Sequence, residues 1–367
     1  MKIAYCIRKN WKVAHGGDVV QMLNTKAEIE KAYNVEIKIV DNINKLSAFG
    51  PDIVHIFNMQ TIEESSQYLK EAKSIGAKTI LSTIYWDMSH ARFIVNIAKL
   101  GLFCRGENYK SLYNLYKNTE SIIASIFGKP TSATKEYQDQ VKSFLKDFDW
   151  YLPNSEEEMQ IVNHVFDTKY ENYSVIPNAV DFNKFPFVNN NMREGFITAA
   201  RIEPIKNQLM LANIAKKNNF PLTMVGGINE NDIDYINKIK EVIGEESYIS
   251  LITKRVEQNI LRELFLKKKV HVLTSFRESP GLSSLEALGS GMNLVVSEAN
   301  YCPINTYFKN IINKHVFICD PYSEKSISLA MQKSHNSLNP EKNYIYEFNW
   351  SSTGHLTYEV YEKILFG

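Results

Sequence analysis

Short apolar runs alternate along the chain with longer stretches in which apolar positions recur every three or four residues. Lys2–Ile7 reads as a buried strand, and after a loop holding Gly16 and Gly17, residues 18–33 carry helical spacing. Val35–Val40 and Asp52–Phe57 read as further strands, Ile62–Ile75 as a helix and Thr79–Tyr85 as a strand. Strands separated by helical patterns of about ten to fifteen residues predict βαβ units and a parallel sheet. Residues 89–148 depart from the alternation: they are long, largely helical in pattern and broken by Gly101, Gly106 and Gly128-Lys129-Pro130, and are expected to be helical insertions on the first domain. A short strand at Trp150–Leu152 and a helix after Pro153-Asn154-Ser155 close that half, with Ser155 and Glu158 spaced as a capping box.

Tyr173–Ile176, followed by Pro177 and Asn178, marks the passage to a second alternating series. Its strands are Gly195–Ala200, Leu222–Val225, Tyr248–Ile252, Val270–Ser275, Asn293–Ser297 and Val316–Cys319. The fold class is therefore α/β, with two Rossmann-like, doubly wound parallel-sheet domains. The first spans 1–176 and the second 177–350, and a C-terminal helix at about 351–367 is expected to return to the first. At roughly 150 residues per domain, 367 residues suit two domains. Two such halves facing a central cleft would bind ligands at the carboxyl ends of their strands.

Composition narrows the function. Hydrophobic residues make up 44% and charged residues 23%, which excludes disorder. With 42 basic and 41 acidic residues the net charge is +1, so no global field points to nucleic acid, and no nucleic-acid partner is expected. The four cysteines Cys6, Cys104, Cys302 and Cys319 form no metal-binding spacing. Glu230, Asp232 and Asp234 read as a solvated helix start, so no metal is expected. The opening MKIAYCIRKN is charged too soon for a secretory signal, and no run approaches a membrane span. A cytoplasmic location is expected.

The chemistry concentrates in the second half. After a strand ending at Ser275 comes Arg277-Glu278-Ser279-Pro280-Gly281-Leu282-Ser283-Ser284-Leu285-Glu286, which opens a helix. A loop carboxylate at Glu278 can accept hydrogen bonds from vicinal sugar hydroxyls. Pro280 and Gly281 suit a helix start, where proline needs no amide partner and glycine lets a ligand reach the backbone. The free amides of Gly281, Leu282 and Ser283 would form an anion site for phosphate, with Ser279 alongside. Glu286 lies five residues past Gly281, roughly 7.5 Å along the axis, about the reach from a phosphate to a ribose. Two solvated glutamates on an ordinary helix are the bland alternative. After the second domain's first strand, Arg201 at the strand's carboxyl end and Lys206 in the first turn of the next helix can converge on a diphosphate, Arg as a fork and Lys as a point charge.

These stretches resemble glycosyltransferase family four, the retaining sugar-nucleotide transferases of the GT-B fold. The E-x7-E element matches at Glu278 and Glu286, and the Arg…Lys-Asn element at Arg201, Lys206 and Asn207. Supporting matches are Val175–Asp181, Met224-Val225-Gly226-Gly227, Leu273-Thr274-Ser275 and Phe348-Asn349-Trp350; Gly16-Gly17 and Pro51–Asn58 match more loosely in the first domain. The resemblance implies a UDP- or GDP-sugar donor, no other cofactor, and transfer to a hydroxyl of a saccharide or lipid-linked saccharide in surface polysaccharide, lipopolysaccharide or glycolipid synthesis. It implies that Arg201, Lys206 and Glu278 act in catalysis. Gly16, Gly17, Arg255, Val256, the Ser279–Ser283 stretch and Glu286 would bind the donor, with Arg255 and Val256 framing the base. Where the family often carries a histidine after its fourth strand, this chain has Tyr85-Trp86-Asp87, and no histidine follows Asp18. A non-catalytic GT-B subunit that binds nucleotide sugar or a partner transferase is the alternative. That alternative is opposed by the expectation that Arg201 and Lys206 would repel each other without a diphosphate.

Trp86, Asp87 and His90 are candidate acceptor contacts, against core packing and a plain helix start. His15 reads as a solvated loop residue or a donor contact, and His55 as a hydrogen-bonded core residue. Residues 91–117 mix apolar groups with Arg92, Lys99, Arg105, Lys110 and Lys117. That face suits either a solvated helical insertion or a peripheral contact with the inner face of an anionic membrane.

Overall fold

The computed structural model describes residues 1–13, 16–104, 106–126, 134–190 and 192–367, the side chains of 120–126 excepted. His15, Arg105 and the Gly128-Lys129-Pro130 break lie outside the described residues. In chain order the first elements are β1 (Lys2–Cys6), α1 (Gly17–Ala32), β2 (Glu36–Val40), α2 (Asn44–Phe49), β3 (Ile53–Phe57), α3 (Ile62–Ser74) and β4 (Lys78–Ser82). Next come α4 (Ser89–Lys99), α5 (Asn108–Ile126), α6 (Lys135–Leu145), β5 (Trp150–Tyr151) and α7 (Glu156–Val165). The second series is β6 (Phe196–Ala199), α8 (Gln208–Asn218), β7 (Leu222–Val225), α9 (Ile233–Ile243), β8 (Ile249–Ile252), α10 (Gln258–Lys267) and β9 (Val270–Leu273). It ends with α11 (Leu282–Gly289), β10 (Asn293–Ser297), α12 (Ile304–Phe308), β11 (Val316–Cys319), α13 (Glu324–Asn336) and α14 (Trp350–Phe366).

The chain divides into two compact units. The first comprises Met1–Trp86, Phe127–Ala179 and Glu347–Gly367, and the second Asp87–Ile126 and Val180–Tyr346. The helices α4 and α5 thus differ from the expected insertion on the first domain: Phe93, Ile94, Phe103, Cys104 and Tyr113 are buried in the second unit's core, with Met210, Tyr235 and Tyr322. The reason is chemical. The apolar stripe of these helices meets the apolar face of the second unit, so the segment folds with that unit although it is inserted between two strands of the other.

The first unit holds a five-stranded sheet in the order β2-β1-β3-β4-β5, and the second a six-stranded sheet in the order β11-β10-β9-β6-β7-β8. All pairings are parallel. Central strands such as β3 and β10 are buried at every position, which suits strands covered on both faces. In the second sheet the strand order reverses between β6 and β9. Brändén's rule places a ligand where the loops leaving those two strands part.

Ser155 caps α7, accepting from the Glu158 amide at 2.9 Å. The buried Glu158 carboxylate accepts from the amides of Tyr85 at 3.0 Å and Asn154 at 3.2 Å, and from the Thr83 hydroxyl. It therefore fixes the chain leaving β4.

Candidate functional site

The loop leaving β6 is shaped by a close approach. A Cβ on Gly226 would stand 1.8 Å from the Ala200 carbonyl oxygen, so only glycine lets the loop after β7 lie against the chain entering Arg201. Arg201 itself is 66% exposed and pairs with Glu203 at 3.2 Å. Glu203 is buried, and burial raises its pKa against the pull of Lys206 and Arg201. Lys206 was expected in the first turn of the next helix; it ends a separate 3-10 turn, Pro204–Lys206, before α8 begins at Gln208. The break comes from Asn207, which takes φ 63°, a left-handed conformation asparagine tolerates. Asn207 Nδ2 then donates to the Pro321 carbonyl at 2.8 Å.

The loop leaving β9 runs alongside. The Phe276 amide donates to the Ile205 carbonyl at 2.9 Å, tying this loop to the Lys206 turn, and the Glu278 amide donates to the Tyr301 carbonyl at 2.7 Å. Glu278 Oε1 accepts from Lys206 Nζ at 2.6 Å and from Ser275 Oγ at 2.6 Å. Two donors on one oxygen leave Oε2 as the acceptor for a further group. Pro280 precedes the helix instead of opening it, because α11 begins at Leu282 with Gly281 as its cap. Gly281 has φ 89°, and a Cβ there would meet Leu273 Cδ2 at 2.9 Å and Glu278 Oε2 at 3.3 Å. The first-turn amides of Leu282 and Ser283 have no acceptor within the helix. Glu286 is half-buried, and burial pushes its carboxyl up to about 8, with Lys184 opposing and Asp181 adding to the shift.

The structure thus brings Arg201, Lys206, Glu278 and the start of α11 to the switch point of one sheet. The expected repulsion between Arg201 and Lys206 does not arise, because each cation has its own carboxylate: Glu203 for the first, Glu278 for the second. Arg255 is exposed and Val256 half-buried beyond β8, and the Arg255 backbone lies against Gly227. Two further residues of the site were not singled out as site residues from the sequence: Glu203, and Ser275, which entered only as the end of the Leu273-Thr274-Ser275 match. Behind it, His271 on β9 accepts from the Ala199 amide at 3.3 Å and stands 3.4 Å from Ser284 Oγ. Its burial lowers its pKa to about 3, so it stays neutral.

In the first unit, Gly16 caps α1 and Gly17 is its first residue. The buried Asp18 beside them takes a two-pronged pair from Arg8, at 2.9 Å from Nε and 3.2 Å from Nη2. Arg8 was not singled out from the sequence. His55 is a core residue, bonded to Tyr361 at 2.7 Å and Ser82 at 2.8 Å. Trp86 is wholly buried and offers no ring face to solvent. Asp87 accepts from the Ser89 amide at 2.9 Å and its hydroxyl at 2.7 Å, and so holds the start of α4. His90 lies among aromatic rings of the second unit. Among the described residues, no group of three or more His, Cys, Asp or Glu side chains could hold a metal ion.

Residues 180–347 match the model of the family described as glycosyl transferases group 1. No curated protein sequence matches the chain. Among solved structures, sucrose-phosphate synthase from Thermosynechococcus elongatus is similar with a TM-score of 0.73 at 12% identity, covering 99% of each chain. HepE from Anabaena, in complex with UDP and glucose, is similar at 0.66 and 12% identity, covering 99% of this chain and 100% of that one. An α,α-trehalose-phosphate synthase (UDP-forming) from Burkholderia xenovorans, in complex with glucose-6-phosphate, gives 0.64 and 9% identity over the same shares. The chain has the GT-B fold.

Proposed function

We propose that this protein is a retaining, metal-independent glycosyltransferase that moves a sugar from a nucleoside diphosphate sugar to a hydroxyl of a saccharide or lipid-linked saccharide. The observation that carries this reading is the convergence of Arg201, Lys206, Glu278 and the unpaired amides of α11 where β6 and β9 part. It falls inside the stretch matched by the glycosyl transferase model. The similar fold of HepE, whose structure holds UDP and glucose, supports a nucleotide-sugar donor.

In this reading the diphosphate meets the first-turn amides of α11, whose dipole favours an anion. Arg201 and Lys206 stabilise the charge that grows on the leaving diphosphate, a preorganised electrostatic contribution. Binding re-partners existing charges: the exposed Arg201 gives up a weak contact with Glu203, and Lys206 stays beside Glu278 while turning protons toward phosphate. Glu278 Oε2 accepts from the donor sugar's hydroxyls, Glu286 from the ribose, and the backbone at Arg255 and Val256 borders the base. The acceptor belongs to surface polysaccharide or glycolipid synthesis on the cytoplasmic side.

The test is a thermal-shift titration with UDP, GDP, ADP and CDP and their common sugar conjugates. A ligand that binds only the folded state raises the melting temperature by mass action. One nucleotide giving a saturable rise supports the donor reading and fixes the base. No rise with any of them favours a GT-B subunit without turnover.

A further inference from the structure

We propose that His90 is a positioning residue of the donor half, bracing from behind the two loops that carry Lys206 and Glu278. The proposal rests on the donor reading for its purpose, but its geometry lies wholly in the second unit. The helix α4 packs against the turn Pro204–Lys206. From its first turn, His90 stacks on Tyr113 with centroids 3.8 Å apart at 23°, and meets Tyr301 edge-on at 4.8 Å and 69°. Its Nδ1 stands 3.0 Å from the Tyr322 hydroxyl.

Two of those neighbours, Tyr301 and Tyr322, lead to the loops of Glu278 and Lys206. Tyr301 is the residue whose carbonyl takes the Glu278 amide. Tyr322 packs on Phe276 at 4.7 Å and follows Pro321, whose carbonyl holds Asn207 beside Lys206. The Phe276 amide closes the ring of contacts on Ile205. A phenylalanine at 90 would keep the stack and leave the buried Tyr322 hydroxyl without its imidazole partner. An alanine would remove both. Burial lowers the pKa of His90 to about 4, so near neutral pH the ring is uncharged and adds no repulsion toward Lys206.

The Asp87–Ile126 excursion explains why this brace exists. It interrupts the first unit's sheet between β4 and β5 yet folds with the second unit, and His90 sits at its first helical turn. The insertion thereby supplies a support for the donor loops that the second alternating series of strands and helices does not provide from its own sequence.

The experiment compares wild type with His90→Ala and His90→Phe by hydrogen exchange on the ligand-free protein and by titration with UDP and GDP. The peptides covering 203–208 and 274–282 are expected to exchange about tenfold faster in His90→Ala, the scale of one lost aromatic contact plus one hydrogen bond. His90→Phe should recover the part owed to stacking, and peptides of β10 should not change in either variant. Nucleotide Kd and donor KM should rise by the same factor in His90→Ala while acceptor KM holds. Unchanged exchange in both loops overturns the proposal, as does acceleration spread evenly over the second unit, which would mark a merely structural role. Wild type that binds neither nucleotide refutes a UDP- or GDP-sugar donor, and the exchange data still decide whether His90 braces the loops.

Discussion

Lys206 Nζ lies 2.6 Å from Glu278 Oε1, with the two side chains only 16% and 10% exposed. The cation read as the partner of a leaving diphosphate and the carboxylate read as the partner of a sugar are thus joined before any ligand arrives. A pair this shielded is costly to break from one side, because the remaining charge is stranded without compensation. Glu278→Ala is expected to abolish transfer and destabilise by about 2–4 kcal/mol, and Lys206→Ala to do likewise. The double variant should lose about 1–3 kcal/mol less than the sum of the two, because each single change already removes the shared contact. Urea unfolding of the four proteins measures this coupling, and strict additivity would show the pair to be incidental.

Arg201 makes the contrasting case. Its side chain is largely exposed and its pair with Glu203 is solvent-screened. Arg201→Ala should change stability by no more than about 0.5 kcal/mol yet cut kcat by roughly 100- to 1000-fold, the usual scale for one lost electrostatic stabiliser. Melting curves read the first quantity and steady-state kinetics the second. An active Arg201→Ala enzyme would remove this residue from the chemistry.

Much of this was legible in the residues themselves. Parallel strands buried on both faces read as nearly unbroken apolar runs, which is why Leu222–Val225, Asn293–Ser297 and Val316–Cys319 coincide with β7, β10 and β11. Glu278 and Gly281 stand out only in combination, as a loop carboxylate and a Pro-Gly pair set between an apolar strand and a helix; a glutamate alone would read as solvated. The partnership of Lys206 with Glu278 was not legible, since 72 residues separate them and only the β6–β9 adjacency joins them. Nor was the allegiance of α4 and α5: amphipathic spacing tells that a helix has a buried face, not which surface will bury it. Arg8 carries no spacing signal at all, and only its partner Asp18 makes it visible; Ser275 was legible as a strand end and motif position, but not as a partner of Glu278.

Ser275 Oγ donates to Glu278 Oε1 at 2.6 Å, in addition to the loop's own backbone tie from Glu278 to Tyr301. Ser275→Ala deletes one charge-assisted hydrogen bond and should cost about 1.5–3 kcal/mol of positioning or stability. A rise of donor KM with kcat nearly kept would mean the bond aims Glu278 at the ground-state sugar. A fall of kcat at constant KM would place its effect in the transition state.

Gly281 is under two constraints at once, a φ of 89° and a Leu273 methyl 2.9 Å from where a Cβ would stand. Gly281→Ala is expected to destabilise by about 1–3 kcal/mol, combining left-handed strain with overpacking. It should also weaken nucleoside diphosphate binding by more than tenfold, since moving the cap re-aims the amides of Leu282 and Ser283. Calorimetric titration with the nucleotide identified by thermal shift checks this. Retained affinity would mean the phosphate is held elsewhere.

Glu286 ties the site to pH. Burial pushes its carboxyl from the ordinary 4.5 up to about 8, and the Lys184 cation offsets only part of the shift while Asp181 reinforces it. Below pH 4.5 the group is protonated in both folded and unfolded chains and contributes no difference. Between 4.5 and about 8 the unfolded chain releases the proton and the folded one keeps it, so this group's contribution to stability falls steadily as pH rises. Above about 8 both forms are ionised and the penalty is constant. Glu286→Gln should therefore show a flatter stability profile than wild type across pH 5–8. A ribose whose hydroxyls donate to the ionised carboxylate would favour that form, so wild-type nucleotide affinity should climb toward pH 8 relative to Glu286→Gln. Taking the ratio of the two proteins cancels the diphosphate's own titration. A ratio that stays level with pH would detach Glu286 from the ribose while leaving its burial, and the stability profile that follows from it, intact.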